Sequence, residues 1–376
     1  MLIQCTKKLL DELNSKPEGQ VDEELLFSWH ANVIIVNRRK TVVIVNDKNR
    51  YVIVLHGLKA KDFKKLDELI LQAIRETFQQ ECIKDEIIEQ FIQHAKEVTF
   101  TKTKDRTSVA RMNKACETIY FYEELLPGDS LIKSAISIET STCLVGDGKN
   151  QYICPNEEMY KDLETFSGRS IFSSNAVELI VTLNLEKYPV WRRLVVPANR
   201  TFSQLHKILQ TVFGWKDYHL HEFYLYDHKT SGCELSSNHS GFHKEGYKPI
   251  VKLVCDKEAL EYEKDIPMKL DCDIKLSEYI SAKVKYNYDF GDSWQHYVDV
   301  VKVLPDFDHN YPVCIGGEGS TPPEDVGGEQ GYEEFLEVIA NRNHPEYEGT
   351  VKWGKGQDYK EFDIETVNRL LKKFGP

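Results

Sequence analysis

The first part of the chain contains three short apolar runs separated by polar turns. Residues 33–36, 41–45 and 51–55 are rich in Val and Ile. β-Branched side chains favour extended strands, and turns this short join neighbouring antiparallel strands. The pattern therefore predicts a β-meander over residues 33–55.

Helical periodicity follows this meander. Apolar side chains recur three and four positions apart over residues 60–78 and again over 83–95, and a third helix is predicted within 107–126. Glycines then cluster over residues 128–172, which we interpret as a connecting region. A short strand is predicted inside this region, at 136–138.

A second apolar pattern opens with a predicted hairpin, formed by strands over 177–185 and 191–196. Thr201 is placed to cap a helix over 202–213, and Gly214 is placed to end it. One face of this helix is predicted to fill a core with Leu205, Ile208, Leu209, Val212 and Phe213.

Further elements follow the helix. Strands are predicted over 220–226, 283–290 and 294–303, and helices over 332–341 and 364–374. A hairpin, a helix across it and later strands resemble the β-grasp (ubiquitin-like) layout. We therefore expect an α+β protein with two domains, the second a β-grasp domain with added helices. The expected domains are residues 1–170 and 171–376.

Charge changes the expectation about partners. The 376 residues carry a formal net charge of -12. Residues 1–160 contain 22 Lys and Arg against 25 Asp and Glu, a net of -3, which leaves -9 for residues 161–376. A surface that coats nucleic acid needs a basic patch, so this balance weighs against a general role of that kind.

Cysteine usage and hydropathy bear on location. The nine cysteines form no CxxC pair, which is typical of reduced thiols. No apolar run approaches the ~20 residues that cross a bilayer. The first residues also lack the basic and apolar regions of a signal peptide. We expect a cytoplasmic protein without membrane association.

Four sequence blocks in the second half resemble a known family. They are PVWRRLVVPANRTFSQLHKILQTVFGW at 189–215, HLHEF at 219–223, YNYDFGDSWQHYVDV at 286–300 and YPVCIGGEGSTPPEDVGGEQGYEEFL at 311–336. Together they resemble the plasmid-Ri open-reading-frame-three family, which implies an association with plasmids and insertion sequences. The string SWHANVIIVNRRKTVVIVND resembles a domain of unknown function that can precede this family. Neither resemblance implies an established activity.

Polar residues of these blocks predict a cleft. Two histidines two positions apart on a strand point to the same face, as do an Asp, a Trp and a His on a later strand. The candidate cleft comprises His219, His221, Asp289, Asp292, Trp294, His296, Glu324, Asp325, Gly327 and Gly328. Imidazoles and carboxylates that converge suit a divalent metal such as zinc or manganese, or acid–base chemistry.

The sequence predicts four metal ligands within this cleft: His219, His221, Asp292 and His296. The competing interpretation, which the sequence favours, is that these polar residues cap turns and bond buried backbone. Asp289 and Asp292 flank Gly291, as tight turns often require.

Two classes of function stay open. The preferred one is a non-enzymatic interaction or accessory protein of a mobile genetic element or defence-associated locus, which binds a protein or a nucleic acid. The alternative is a metal-dependent enzyme, a hydrolase or nuclease, that uses the His, Asp and Glu residues of the cleft. The DFG string does not indicate a kinase, since the other kinase motifs are absent from the sequence.

Overall fold

The computed structural model describes residues 1–14, 19, 23–146, 148, 151–231, 235–262 and 266–375. It divides into two compact units, residues 1–173 and 174–375. Both units contain helices and strands, so the mixed α/β character expected from the sequence is confirmed. Among the described helices, none combines the length and the apolar character that a bilayer crossing requires.

The first unit contains seven α-helices and seven strands over its described residues. Its strands are β1 (Leu2–Cys5), β2 (Ser28–Val36), β3 (Arg39–Asn46), β4 (Val52–Leu58), β5 (Thr99–Lys102), β6 (Val145–Gly146) and β7 (Tyr152–Ile153). Its helices are α1 (Lys7–Leu13), α2 (Ala60–Phe63), α3 (Leu66–Gln80), α4 (Asp85–Ala95), α5 (Arg106–Ile119), α6 (Ser134–Thr142) and α7 (Pro155–Ser167).

The sheet of the first unit has the strand order β4-β3-β2-β1-β5, and β6 pairs with β7. Strands β2, β3 and β4 are antiparallel neighbours, which confirms the predicted meander. Strand β1 runs parallel to both β2 and β5.

The strand predicted at 136–138 is wrong, because these residues lie in helix α6. The hydroxyl oxygens of Ser137 and Ser141 accept hydrogen bonds from the main-chain N–H groups of Val54 and Val52, each at 2.9 Å. Strand β4 is at the edge of the sheet, and α6 satisfies its outward amides. This contact with a distant strand outweighs the local β-branched pattern.

The second unit contains eight strands and four α-helices over its described residues. Its strands are β8 (Ser174–Leu183), β9 (Val190–Pro197), β10 (His221–Ser231), β11 (Tyr247–Val254), β12 (Met268–Leu270), β13 (Lys283–Tyr288), β14 (Trp294–Phe307) and β15 (Val313–Glu318). Its helices are α8 (Phe202–Phe213), α9 (Gly328–Ala340), α10 (Tyr347–Gly356) and α11 (Ile364–Leu371).

One sheet joins these strands in the order β12-β11-β10-β13-β14-β8-β9-β15. The β8–β9 hairpin is followed by α8, and β10, β13 and β14 then return to the β8 side of the hairpin. All of these pairs are antiparallel, and the sheet's one parallel pair among the described strands is β11 with β12.

Helix α8 forms the centre of the second core. Thr201 Oγ1 accepts from Gln204 N at 3.2 Å and Gln204 Oε1 accepts from Thr201 N at 3.0 Å, which closes its first turn. Gly214 ends the helix at a φ of 77°. The predicted core face is confirmed, since all five of its apolar side chains are buried. Each contributes roughly 1.5–3 kcal/mol by leaving water.

Candidate metal centre

The candidate site lies where the segment before β10 meets the turn between β13 and β14. The main-chain N–H of Asp289 donates to Leu220 O at 3.1 Å, which continues the pairing of β10 with β13 by one residue. This pairing brings His219 next to Asp289. The loop before α9 supplies Glu324 and Asp325, which complete the cluster.

The imidazole of His219 is at the centre of this cluster. Its Nε2 lies 3.5 Å from Asp289 Oδ2 and 3.8 Å from Glu324 Oε2. A third carboxylate oxygen, Asp325 Oδ1, lies 3.0 Å from the same nitrogen. His219, Asp289 and Glu324 each offer one ligand atom, and these atoms all lie within 4.8 Å of one another. One imidazole and two carboxylates suit zinc or manganese.

One carboxylate oxygen of Glu324 accepts hydrogen bonds, and the other faces His219. Its Oε1 accepts hydrogen bonds from the main-chain N–H of Lys216 at 2.8 Å and from the Tyr288 hydroxyl at 2.9 Å. Burial, and then the charge of Glu324, raise the pKa of Tyr288, so this hydroxyl stays a hydrogen-bond donor. The two bonds fix the carboxylate with Oε2 directed at His219.

Asp289 has the same arrangement. Its Oδ1 accepts from the main-chain N–H groups of Gly291 at 2.9 Å and Asp292 at 3.3 Å. Its Oδ2 is the oxygen that faces His219. Outer hydrogen bonds of this kind orient the ligating carboxylates of metal sites.

The facing atoms of the cluster make no hydrogen bonds among the described residues, although His219 Nε2 lies within ion-pair distance of all three carboxylates. Glu324 is 1% exposed, yet its Oε2 has no hydrogen bond, and neither does His219 Nε2 among the described residues. Leaving buried polar atoms unbonded costs about 1–3 kcal/mol each, so such atoms require an explanation. The Asp325 side chain is 58% exposed and His219 30%, so the cluster opens to solvent on that side.

Three other predicted cleft residues hold the loop in place. Asp292 Oδ2 accepts from Gly327 N at 3.1 Å, which ties the turn after β13 to the loop before α9. Gly328 has a φ of 69°, and a Cβ at this position would lie 3.0 Å from Asp292 O. These contacts give Asp292, Gly327 and Gly328 a bracing role at the edge of the cluster.

Of the four metal ligands predicted from the sequence, His219, His221, Asp292 and His296, the structure places one in this cluster. Only His219 lies in the cluster, and Asp289 and Glu324 supply the other ligand atoms. The predicted set relies on strand alternation, but strand β10 begins only at His221. His219 itself lies in a bend before this strand, so alternation does not extend to it.

His221 belongs to a separate, buried network. Its ring stacks on that of His206 with centroids 3.5 Å apart, and its Nε2 lies 2.8 Å from Asp271 Oδ2. His206 contacts Asp217 Oδ1 at 2.7 Å and the Tyr286 hydroxyl at 2.8 Å through its two ring nitrogens. Burial, and then the neighbouring His221, lower the pKa of His206 to about 4.

This network was not predicted from the sequence. His206 lies on the apolar face of α8, where a histidine is a signal of a polar contact inside the core. The carboxylates of the network are Asp217 for His206 and Asp271 for His221. Both lie outside α8 and β10, so the periodicity of these elements did not indicate them.

His296 and Trp294 lie in the aromatic core of the second unit. The His296 ring is 4.8 Å from Phe213 and 5.2 Å from Trp215, and burial lowers the pKa of His296 to about 3. Trp294 is 2% exposed and its ring lies 6.2 Å from that of Trp215. Neither residue belongs to the cluster around His219.

The two arginines of β9 have different environments. Arg193 forms an ion pair with Glu178. Arg192 is 2% exposed and donates to main-chain carbonyl oxygens of Trp191, Val212, Glu318 and Gly319 and to the Thr321 hydroxyl. Among the described residues, no carboxylate lies within ion-pair distance of Arg192.

Each half of the chain is similar to a known family. A domain of unknown function, DUF6933, matches residues 2–158. An uncharacterized protein, y4hQ, from Sinorhizobium fredii (strain NBRC 101917 / NGR234) is 32% identical over 186 residues, which cover 50% of this chain and 84% of that protein. The crystal structure of a protein of unknown function, MM3350 from Methanosarcina mazei Go1, matches this chain at 35% sequence identity with a TM-score of 0.40. That match covers 51% of this chain and 97% of the other.

The second unit carries the most extensive match. The family described as plasmid pRiA4b ORF-3-like protein matches residues 175–370, which is more than half of the chain. These residues include every member of the His219 cluster. The chain therefore belongs to the plasmid pRiA4b ORF-3-like family, with a DUF6933 domain in its first half.

Proposed function

We propose that the second unit binds a divalent metal ion through His219, Asp289 and Glu324 and acts as a metal-dependent hydrolase. The observation that carries the proposal is the pair of unbonded atoms, His219 Nε2 and Glu324 Oε2, that face each other beside Asp289 Oδ2. A cation at this point would bond all three atoms.

Repulsion between the carboxylates of the cluster favours a cation between them over a cluster without one. Two buried carboxylates, Asp289 at 5% exposure and Glu324 at 1%, direct an oxygen at the same place. Like charges this close repel each other unless one is protonated or a cation lies between them. The competing arrangement is a protonated His219 that serves as the cation itself.

Hydrolysis is the chemistry that suits this arrangement. Catalytic metal sites keep three protein ligands and leave a position for water, whose pKa the metal lowers. The cluster provides three ligands and is open on the Asp325 side. Asp325 is exposed beside His219, where its carboxylate can accept a proton from an attacking water.

Metal analysis of the purified chain tests the binding. We expect about one zinc or manganese ion per chain in the wild type and none in His219→Ala or Glu324→Gln. The matched control replaces the exposed pair formed by Asp308 and His309, whose atoms lie 2.7 Å apart, with Asn and Ala. This control should bind metal like the wild type.

Two results would overturn the metal site. One is that zinc, manganese and magnesium all fail to bind the folded wild-type chain. The other is that both cluster variants bind metal as the wild type does. Circular dichroism of each variant shows whether it is folded, so that loss of metal is not confused with loss of structure.

Hydrolysis is tested with the metal-loaded chain on p-nitrophenyl phosphate and p-nitrophenyl acetate. Turnover of either substrate that disappears in His219→Ala and in the presence of chelator supports the proposal. A bound metal without turnover of either substrate would instead make the ion a structural element.

The preferred interpretation from the sequence, a non-enzymatic protein that binds a protein or nucleic acid, stays a prediction. The same holds for a mobile-element or defence-associated role and for a cytoplasmic location. We also propose the β-grasp layout for the second unit. The β8–β9 hairpin, helix α8 and the three returning strands support it.

A further inference from the structure

A cleft of about 570 Å³ lies beside the candidate metal centre in the second unit. Its walls come from the end of α8, the loop before α9, the segment 357–363 and helix α11. Glu324 belongs to both places, because it lines the cleft while its Oε2 faces His219. The volume is within the range of sites that hold small molecules.

The cleft contains cations without acidic partners. Arg192, Lys216, Arg369 and Lys373 line it, and none of them has a carboxylate within ion-pair distance among the described residues. Lys216 Nζ donates to a neutral amide, Gln357 Oε1, at 2.7 Å. Four unpaired cations are unexpected in a half of the chain whose net charge is -9.

The acidic residues of the lining are mostly engaged. Asp358 is paired with Lys360 at 2.7 Å. Asp363 caps α11 by accepting from the main-chain N–H groups of Glu365 and Thr366. Glu361 is exposed at the rim. With Glu324 included, the lining has four carboxylates and five cations, which leaves a net positive charge; the cations are Arg192, Lys216, Lys360, Arg369 and Lys373.

Arg192 is the most deeply buried of these cations. Its guanidinium is stacked 4.0 Å from the centre of the Phe362 ring, in the wall of the cleft. Burial lowers the pKa of Arg192 to about 10, so it stays charged at neutral pH. Its N–H groups all donate to protein oxygens, so Arg192 adds positive charge to the wall of the cleft without binding an anion directly. Lys216, Arg369 and Lys373 are the cations left to donate to an anion.

We infer that the cleft binds the phosphate group of a small phosphorylated molecule. This inference rests on the proposed function, because the metal centre would act on the bond that the cleft presents to Glu324. Phosphate carries up to two charges and oxygens on several sides, which suits cations that converge from different elements. A long nucleic acid is disfavoured, since the net negative charge of this half repels a polyanion.

Calorimetric titration with inorganic phosphate tests the inference. We expect Arg369→Gln combined with Lys373→Gln to bind phosphate about tenfold more weakly than the wild type. The matched control is Lys372→Gln, which removes an exposed charge from the end of the same helix outside the cleft. It should bind phosphate like the wild type.

The metal and the anion are tested separately. His219→Ala lies outside the cleft lining, so it should lose metal and still bind phosphate within about threefold of the wild type. Failure of the proposed metal site would thus leave phosphate binding intact. The inference is overturned if the wild type does not bind phosphate, if the double variant binds it equally well, or if citrate binds while phosphate does not.

Discussion

Two polar clusters of the second unit share the short segment 216–221, and they differ in how their polar atoms are hydrogen-bonded. In the network of His206 and His221, each ring is bonded to a carboxylate, and His206 also to a tyrosine. In the cluster of His219, the two atoms that face each other are unbonded. Identical residue types thus brace the fold in one place and leave ligand positions open in the other.

The first prediction concerns the buried network and has the largest effect. Asp271→Ala should lower the free energy of unfolding by about 3 kcal/mol, because it leaves the buried His221 without its partner. Urea denaturation measures this change. Asp273→Ala, an exposed neighbour, is the control and should change stability by less than about 0.5 kcal/mol. Equal effects of the two substitutions would contradict a bracing network.

The second prediction is the pH dependence of the same network. His206 has its pKa lowered to about 4 by burial and His221, while Asp217 and Asp271 oppose the shift. The unfolded chain therefore binds a proton more readily between about pH 6.5 and pH 4, and stability falls as the pH drops through this window. The contribution of His206 to this loss between pH 7 and 4.5 is about 2 kcal/mol.

The measurement compares the wild type with His206→Gln at both pH values. The variant has no imidazole to protonate, so its loss of stability on acidification should be smaller by that amount. A variant as acid-sensitive as the wild type would show that His206 is not the group responsible.

The third prediction concerns the brace between the two loops. Gly328→Ala should destabilise the second unit by about 1 kcal/mol, since a Cβ is strained at the positive φ and close to Asp292 O. It should also weaken zinc binding, because Glu324 and Asp325 lie on the same loop. Gly349→Ala is the control, as a Cβ there meets no atom within 4 Å. Unchanged zinc affinity would show that this brace does not influence the metal centre.

The fourth prediction has the smallest effect on stability and tests most directly how the His219 cluster differs from the network of His206 and His221. His219→Ala in metal-free buffer should change the free energy of unfolding by less than about 0.5 kcal/mol, because His219 is partly exposed and its Nε2 makes no hydrogen bond. Thermal unfolding with added zinc should then stabilise the wild type and not the variant. A large loss of stability without metal would mean that His219 braces the loops.

The sequence predicted the elements whose signals are local. The meander and helix α8 depend on residue types, spacing, a capping Thr201 and a terminal Gly214, all of which are close together in the chain. Helix α6 was missed because its stabilising contacts reach strand β4, about 80 residues earlier. Helix α10 was likewise not predicted.

The sequence predicted the residues of the His219 cluster, but it did not predict which of the candidate residues lie together. His219, Asp289 and Glu324 were all among the candidate residues, yet the alternation argument assigned His221 and His296 to the same site. Alternation holds only inside a strand, and positive φ values at Asp217 and Asp289 turn the chain just outside the strands. Which histidine faces the carboxylates is decided by these turns.

The segment before β10 shows one more property of this design. Three successive amides are each bonded to a side chain from a different element: Lys216 to Glu324, Asp217 to Gln210 and Tyr218 to Tyr288. A stretch without regular secondary structure is thereby held as firmly as a strand. In hydrogen–deuterium exchange these three amides should exchange slowly, at the rate of the sheet they adjoin and not at the rate of a loop.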